Sequence, residues 1–337
     1  MGTRAVAFWP IVHGLHADGA VMVAATDERF ARILLDRGPT VFDLSTTPSA
    51  LLAERLHARR QSAELRGSLE RIIAERAFHP VFQPILDLES REVVGYEALS
   101  RFDSGQRPDL CFADAWSVGL GPDLEMATIE AAIAQAKRLP SGRWLDLNTS
   151  PRLLADPKRL RGVLRSADRA IVLEITEHEL IDDYAAVREA VRTLGNDMRL
   201  AVDDAGAGVA NFGHIIELRP HFVKLDISLV RRVNGNLGRQ AMVVGMRHFS
   251  RTAGWRLIAE GIETEEEART LTELGVDFGQ GYLFGHPARA DLWITAAPSA
   301  APGRGEARSA ESRRGTHYPR HSRIGVEAGA AERGVAP

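Results

Sequence analysis

A chain of 337 residues can hold one large domain with appendages or two ordinary domains. With 45% apolar residues, 26% charged residues and a net charge of −3, nothing in its composition points to nucleic acid or an acidic membrane surface as a partner. The single cysteine, Cys111, excludes an internal disulfide and a thiolate zinc site.

The first 26 residues are fairly apolar, but His13, His16 and Asp18 interrupt them. No run reaches the roughly 18 apolar residues of a membrane helix. The expectation is a cytoplasmic protein, in keeping with its cysteine usage. Val21–Ala25 predicts a strand, and Asp27 is placed to cap a helix over Glu28–Arg37. Thr40–Phe42 reads as a second short strand, and Pro48 as the opening of a helix to Arg59. Residues 1–60 thus form a small α/β extension of unknown role, with too little apolar surface for a core of its own.

A polar helix over Ser62–Ala77 leads into the main domain, residues 61–296, where strands and helices alternate. Two strands open it, Val81–Ile85 and Glu92–Leu99, joined by a short link. Next comes a helix with Ile129, Ala132, Ile133 and Ala136 on one face, then the strand Trp144–Leu147. Strand Ala170–Ile175 precedes a helix with Tyr184, Val187, Val191 and Leu194 in register, stopped by Gly195. Strands follow at Arg199–Val202, His221–Leu225 and Arg256–Ala259, the last two separated by a helix over Leu237–Arg251. Thr264 and Glu267 form a capping box for a helix ending at Gly275, and Val276–Phe278 is the last strand. Repeats of about 25–40 residues, strand then helix, predict a TIM-type (β/α)8 barrel. The hairpin-like opening departs from eight strict repeats, so the first strand is expected to run antiparallel. From residue 297 to 337 the chain turns to Ala, Gly, Ser, Pro and Arg without periodicity and reads as a disordered tail.

Polar residues collect just past these strands: Glu97, Asn148, Glu174, Asp203, Asp204, Lys224, Asp226, Glu260 and Gln280. In a parallel barrel such positions converge on one face, where active sites lie. Carboxylates gathered there repel one another unless cations are present. An oxygen-rich set with one Asn and no Cys suits Mg²⁺ or Mn²⁺, and adjacent aspartates suit a bridge between two ions. His79, His178, His214 and His248 are expected at the surface or in packing rather than in catalysis.

The stretches FQPILDL (82–88), GYEALSR (95–101), LNTS (147–150), LEITE (173–177), VDDAGAG (202–208), VKLD (223–226), AEGIET (259–264) and QGYLFGHP (280–287) together resemble the EAL-domain cyclic di-GMP phosphodiesterases. The resemblance covers residues 62–291 and implies hydrolysis of cyclic di-GMP to linear pGpG with two Mg²⁺ or Mn²⁺ ions. By its pattern Glu97, Asn148, Glu174 and Asp203 hold one ion, while Asp203, Asp204 and Glu260 hold the second. Lys224 orients the attacking water or neutralises charge, and Gln280 supports the same nucleophile. Gln83, Leu99, Arg101 and Asp226 correspond to substrate-binding positions, and Glu177 to the residue bracing the loop after Asp204. A homodimer is implied by family analogy alone.

Two departures stand out. The loop after the paired aspartates, residues 205–212, keeps its glycines but loses the family's bulky, hydroxyl and aromatic positions at Ala205, Ala207 and Val209. Trp116 stands where many members carry Glu, which alters the substrate-side wall. Two other readings compete with a hydrolase: a catalytically silent module acting as a cyclic di-GMP receptor or protein-interaction domain, and an unrelated divalent-metal barrel enzyme.

Overall fold

The computed structural model describes residues 2–294, apart from 14–15, 37, 177–180, 182, 196 and 207–211; the side chains of 9–19, 21 and 37–53 are also outside the description. The sequence-predicted disordered tail therefore lies outside the described residues, as do Glu177, His178 and most of the altered loop.

Two strands, β1 (Ala5–His13) and β2 (His16–Ala25), form an antiparallel ribbon. Asp27 Oδ1 accepts hydrogen bonds from the backbone N–H groups of Arg29 (2.8 Å) and Phe30 (3.2 Å), which starts α1 (Glu28–Asp36) as expected. The sequence reading of a strand at Thr40–Phe42 is overturned. Those residues lie in α2, a 38-residue helix over Gly38–Glu75 that also absorbs the two helices expected on either side of residue 60. Three β-prone residues with no neighbouring strand cannot hold out against helical segments that follow directly. The C-terminal part of α2 buries Leu69 in a small core with Phe78, Phe102, Cys111, Ala115, Leu120 and Leu124.

Eight further strands close into a barrel: β3 (Phe78–Asp87), β4 (Val93–Phe102), β5 (Trp144–Asn148), β6 (Ile171–Thr176), β7 (Met198–Ala205), β8 (Phe222–Leu225), β9 (Arg256–Ala259) and β10 (Phe278–Gln280). The spatial order is β10-β3-β4-β5-β6-β7-β8-β9, with β3 antiparallel to both neighbours and every other pair parallel. The predicted barrel and its reversed first strand are both observed. The last strand sits two residues later than predicted, at Phe278–Gln280.

Helices surround the strands. Before β5 come α3 (Pro108–Ser117) and α4 (Gly121–Ala136); α5 (Pro151–Leu154) and α6 (Pro157–Leu164) precede β6. After β6 come α7 (Tyr184–Leu194), α8 (Phe212–Leu218), α9 (Ile227–Val230) and α10 (Leu237–Ala253). The chain of helices closes with α11 (Glu265–Glu273) and α12 (Ala290–Ile294). Ile129, Ala132, Ile133 and Ala136 of α4 are all buried, as are Val187, Val191 and Leu194 of α7. The capping box of α11 forms in both directions, Thr264 with Glu267. Among the described residues no helix is long and apolar enough to cross a membrane.

Inside the barrel, Ile85, Val94, Trp144, Val172, Ala201, Phe222, Ile258 and Phe278 form one apolar cluster, one residue from each strand. Strand alternation points these inward, where they plug the barrel as a layer. Trp144 stacks on Phe222 with centroids 5.3 Å apart, and both meet Phe278 edge-on. Gly95 is required here: a Cβ on it would lie 2.3 Å from the Trp144 indole nitrogen. This plug sets the floor of the site above it.

Candidate functional site

One pleat further along each strand lies a second inward layer. Counting two residues on from the plug gives Asp146, Glu174, Asp203, Lys224, Glu260 and Gln280; on reversed β3, counting back from Ile85 gives Gln83. On β4 the step from Val94 is three, to Glu97, because the β3–β4 register shifts at Ile85/Leu86. The apolar floor thus carries a ring of eight polar residues, one per strand. Asn148, Asp204 and Asp226 lie further along their strands or just beyond them. Seven of the eight are legible in the sequence; Asp146 is not, because Leu145-Asp146-Leu147 reads as an apolar run with one interruption. The available signal was alternation: Asp146 stands two residues after inward Trp144.

Lys224 is at the centre. Fully buried, its Nζ is 2.6 Å from Glu260, 2.8 and 2.9 Å from the two oxygens of Glu174, and 3.6 Å from both Glu97 and Asp203. Gln280 Nε2 donates to Glu97 Oε2 (2.6 Å) and to Gln83 Oε1 (2.9 Å), while Gln83 Nε2 donates to the Gly285 carbonyl (3.0 Å). Asn148 Nδ2 donates to the other Glu97 oxygen at 3.3 Å. Asp203, Asp204 and Glu260 each offer an oxygen within 4.8 Å of the others. Asp204 has a backbone φ of +60°, strain of the kind that concentrates where side chains must be aimed. Gly261 holds Glu260 from behind; its φ is +67° and a Cβ there would strike Ile227 at 2.4 Å.

Electrostatically the ring lacks positive charge. Burial pushes Glu174 well above the usual carboxylate range, with Asp203 reinforcing and Lys224 opposing. Burial also raises Glu260 to about 8 and Asp146 to about 7. Asp203 goes the other way: burial opposes its charge, but the Lys224 ammonium and the Asp204 backbone N–H outweigh it. Burial disfavours the charge on Lys224, yet Asp203, Glu174, Glu260 and Glu97 together hold it well above the usual lysine range. Several buried acceptors also find no donor: both oxygens of Asp146, Oδ1 of Asp203 and Oε1 of Gln280. Acids driven toward protonation, beside acceptors without donors, form a donor set that fits hard divalent cations.

A cavity of about 510 Å³ opens beside the ring, within the range of small-molecule sites. Its wall includes Leu99, Arg101, Trp116, Asn148 and Glu174. Leu99 and Arg101 both line this cavity, and Arg101 Nη1 donates to the Ser100 carbonyl (2.8 Å). Asp226 Oδ1 accepts from Ser228 N–H (2.8 Å) and caps α9. Trp116 does shape the wall. Its Nε1 donates to Glu125 Oε1 (2.8 Å), and Glu125 Oε2 accepts from the Ser150 backbone N–H (3.1 Å) and hydroxyl (2.9 Å). This clamp braces the turn after Asn148, and neither Glu125 nor Ser150 was singled out from the sequence. Of the histidines, His79 pairs with Asp103 and His214 with the Tyr184 hydroxyl, both away from the ring.

Residues 66–287 match the family model described as EAL domain. A cyclic di-GMP phosphodiesterase of Pseudomonas aeruginosa is 32% identical over 252 residues, covering 68% of this chain and 42% of that protein. A probable cyclic di-GMP phosphodiesterase of Escherichia coli is 29% identical over 233 residues, 63% of this chain and 29% of its own length. The chain thus spans less than half the length of these curated relatives. Among solved structures, BlrP1 of Klebsiella pneumoniae in complex with calcium and cyclic di-GMP superposes with a TM-score of 0.58 at 29% identity, covering 64% of this chain and 56% of that one. A standalone EAL protein of Vibrio cholerae, in its cyclic di-GMP-bound form, gives 0.56 at 25% identity, covering 63% and 93%.

Proposed function

The chain belongs to the EAL domain family, and from that premise we propose that it is a cytoplasmic phosphodiesterase that opens one phosphodiester of cyclic di-GMP to give linear pGpG. Glu97, Asn148, Glu174 and Asp203 would hold one Mg²⁺ or Mn²⁺ ion, and Asp203, Asp204 and Glu260 would hold a second. Bound there, the ions supply Lewis-acid activation of a water and neutralise charge on the phosphodiester oxygens. The relatives named for, or solved with, cyclic di-GMP support this substrate.

The remaining roles fall to the chain. Lys224 fixes a positive charge at the centre of the ring, where a developing anion needs it. Gln280 holds Glu97 in one orientation through its amide and, with Lys224, supports the attacking water. Arg101 meets a phosphate oxygen from the cavity wall, and Leu99, Gln83 and Asp226 are the further substrate-binding residues, Asp226 also fixing the turn into α9. Glu177 braces the loop after Asp204. Residues 1–60 form an accessory unit, and a homodimer is the proposed assembly.

The observation that carries this reading is the ring itself: five carboxylates around one buried ammonium, with oxygens of Asp146 and Asp203 that no N–H donor reaches. The test is incubation with cyclic di-GMP in Mn²⁺ or Mg²⁺, read by chromatography. Release of pGpG, abolished by chelator, is the expected result. Retention of intact dinucleotide without turnover in Mn²⁺ would move the protein to the receptor reading.

A further inference from the structure

One acid of the ring is neither a proposed ion ligand nor a proposed substrate contact. Asp146 is fully buried, it is the β5 member of the layer, and no amide, hydroxyl or ammonium group donates to either of its oxygens, its polar neighbour being the Glu174 carboxyl. Its backbone pairs with that of Glu97 across the β4–β5 ladder, so it stands beside the ligand shell. Such a carboxylate is costly to keep unless some state of the protein uses it.

That state follows from the position of Lys224. Its Nζ is satisfied by Glu174, Glu260, Glu97 and Asp203. These are four of the groups assigned above to the two ions, and a carboxylate oxygen turned to a divalent cation is no longer the ammonium's full counter-charge. Lys224 has no exposure to solvent, so water cannot replace what it loses. Among the described ring residues, Asp146 is the carboxylate that neither ion claims, and it stands in the same inward layer as Lys224, as fully buried as the ammonium. We propose that Asp146 is a positioning residue that takes over as the counter-ion of Lys224 when divalent cations enter the ring, keeping the ammonium charged and seated beside them. This rests on the metal-dependent reading of the site.

The test measures metal binding rather than turnover. Mn²⁺ affinity is titrated by calorimetry, without substrate, for the full chain and for Asp146→Asn, Asp146→Ser, Lys224→Met and the double variant Asp146→Asn/Lys224→Met. The expected result is at least a tenfold loss of Mn²⁺ affinity in Asp146→Asn and Asp146→Ser, while the thermal midpoint of the ion-free protein holds or rises, since a buried acid has been replaced by a neutral side chain. In the Lys224→Met background the Asp146 substitution should change affinity less than twofold. A crystal structure of the Mn²⁺-loaded protein should place Lys224 Nζ about 2.7–2.9 Å from an Asp146 oxygen. Unchanged Mn²⁺ affinity in the Asp146 variants overturns the proposal, and so does an equal loss with and without Lys224, which would make Asp146 a direct partner of the ions. If a variant fails to fold, the Lys224–Asp146 distance in the loaded wild-type crystal decides alone. The two failures are separable: Mn²⁺ binding without hydrolysis of cyclic di-GMP sinks the hydrolase and spares Asp146, whereas turnover with an indifferent Asp146 does the reverse.

Discussion

At the scale of single residues, the site depends on oxygen atoms held where water cannot relieve their charge. Glu97 shows this most plainly, because both of its oxygens are already fixed by the amides of Gln280 and Asn148. Glu97→Ala frees both amides and deletes a proposed ligand, so kcat should fall by at least about 10²-fold with the fold intact by circular dichroism. Lys224→Ala should lose activity on a similar scale, and retention of wild-type turnover by either variant would refute the assigned roles. Cys111 offers a control remote from the ring. Burial, with Asp114 adding to it, pushes its thiol up to about 11. The native protein should resist thiol reagents at pH 8 and yield one reactive thiol only in denaturant. Most of the ring was legible at this scale, since an acid ending an apolar run is conspicuous. Asp146 was not, because a single acid inside Leu145-Asp146-Leu147 gains its meaning only when the neighbouring strand supplies the level of the layer.

Elements position these residues, and their boundaries carry their own tests. The Thr264–Glu267 box starts α11 close behind Glu260. Thr264→Ala should cost about 1 kcal/mol in denaturant unfolding, with little change in Mn²⁺ affinity. His221, at the start of β8, accepts the Leu200 N–H on Nδ1 (3.1 Å) and so must be neutral there. Burial first, then Arg199 and Arg256, lowers its folded pKa below the ordinary value. A depressed folded pKa gives stability that is complete above the unfolded value of about 6.5 and is lost as pH falls toward the folded one. Thermal midpoints of wild type should therefore drop between pH 7.5 and 5.5 by more than those of His221→Gln. Equal slopes would show that His221 takes no part. The strands β5 to β9 were legible because strands covered on both faces read as apolar runs. Strand β1 and the extent of α2 were not: Ala5–His13 finds its identity only by pairing with β2, and Thr40–Phe42 loses its β preference to the surrounding helix.

For the whole molecule, closure of the barrel turns eight scattered positions into one ring above an aromatic floor. The floor tolerates no added bulk at Gly95, so Gly95→Ala should destabilise the fold by about 1–3 kcal/mol through the clash with Trp144. The fold class and the reversed first strand were readable from the alternation of elements and the short link after β3. The closing contact between β10 and β3 was not, because nearly two hundred residues separate the partners Gln280 and Ile85. On the proposed function, this closed ring holds two hard cations. Calorimetric titration of the full chain with Mn²⁺ should show two ions bound per chain, with the thermal midpoint rising as they load. Absence of both heat and midpoint shift at millimolar Mn²⁺ would contradict the account.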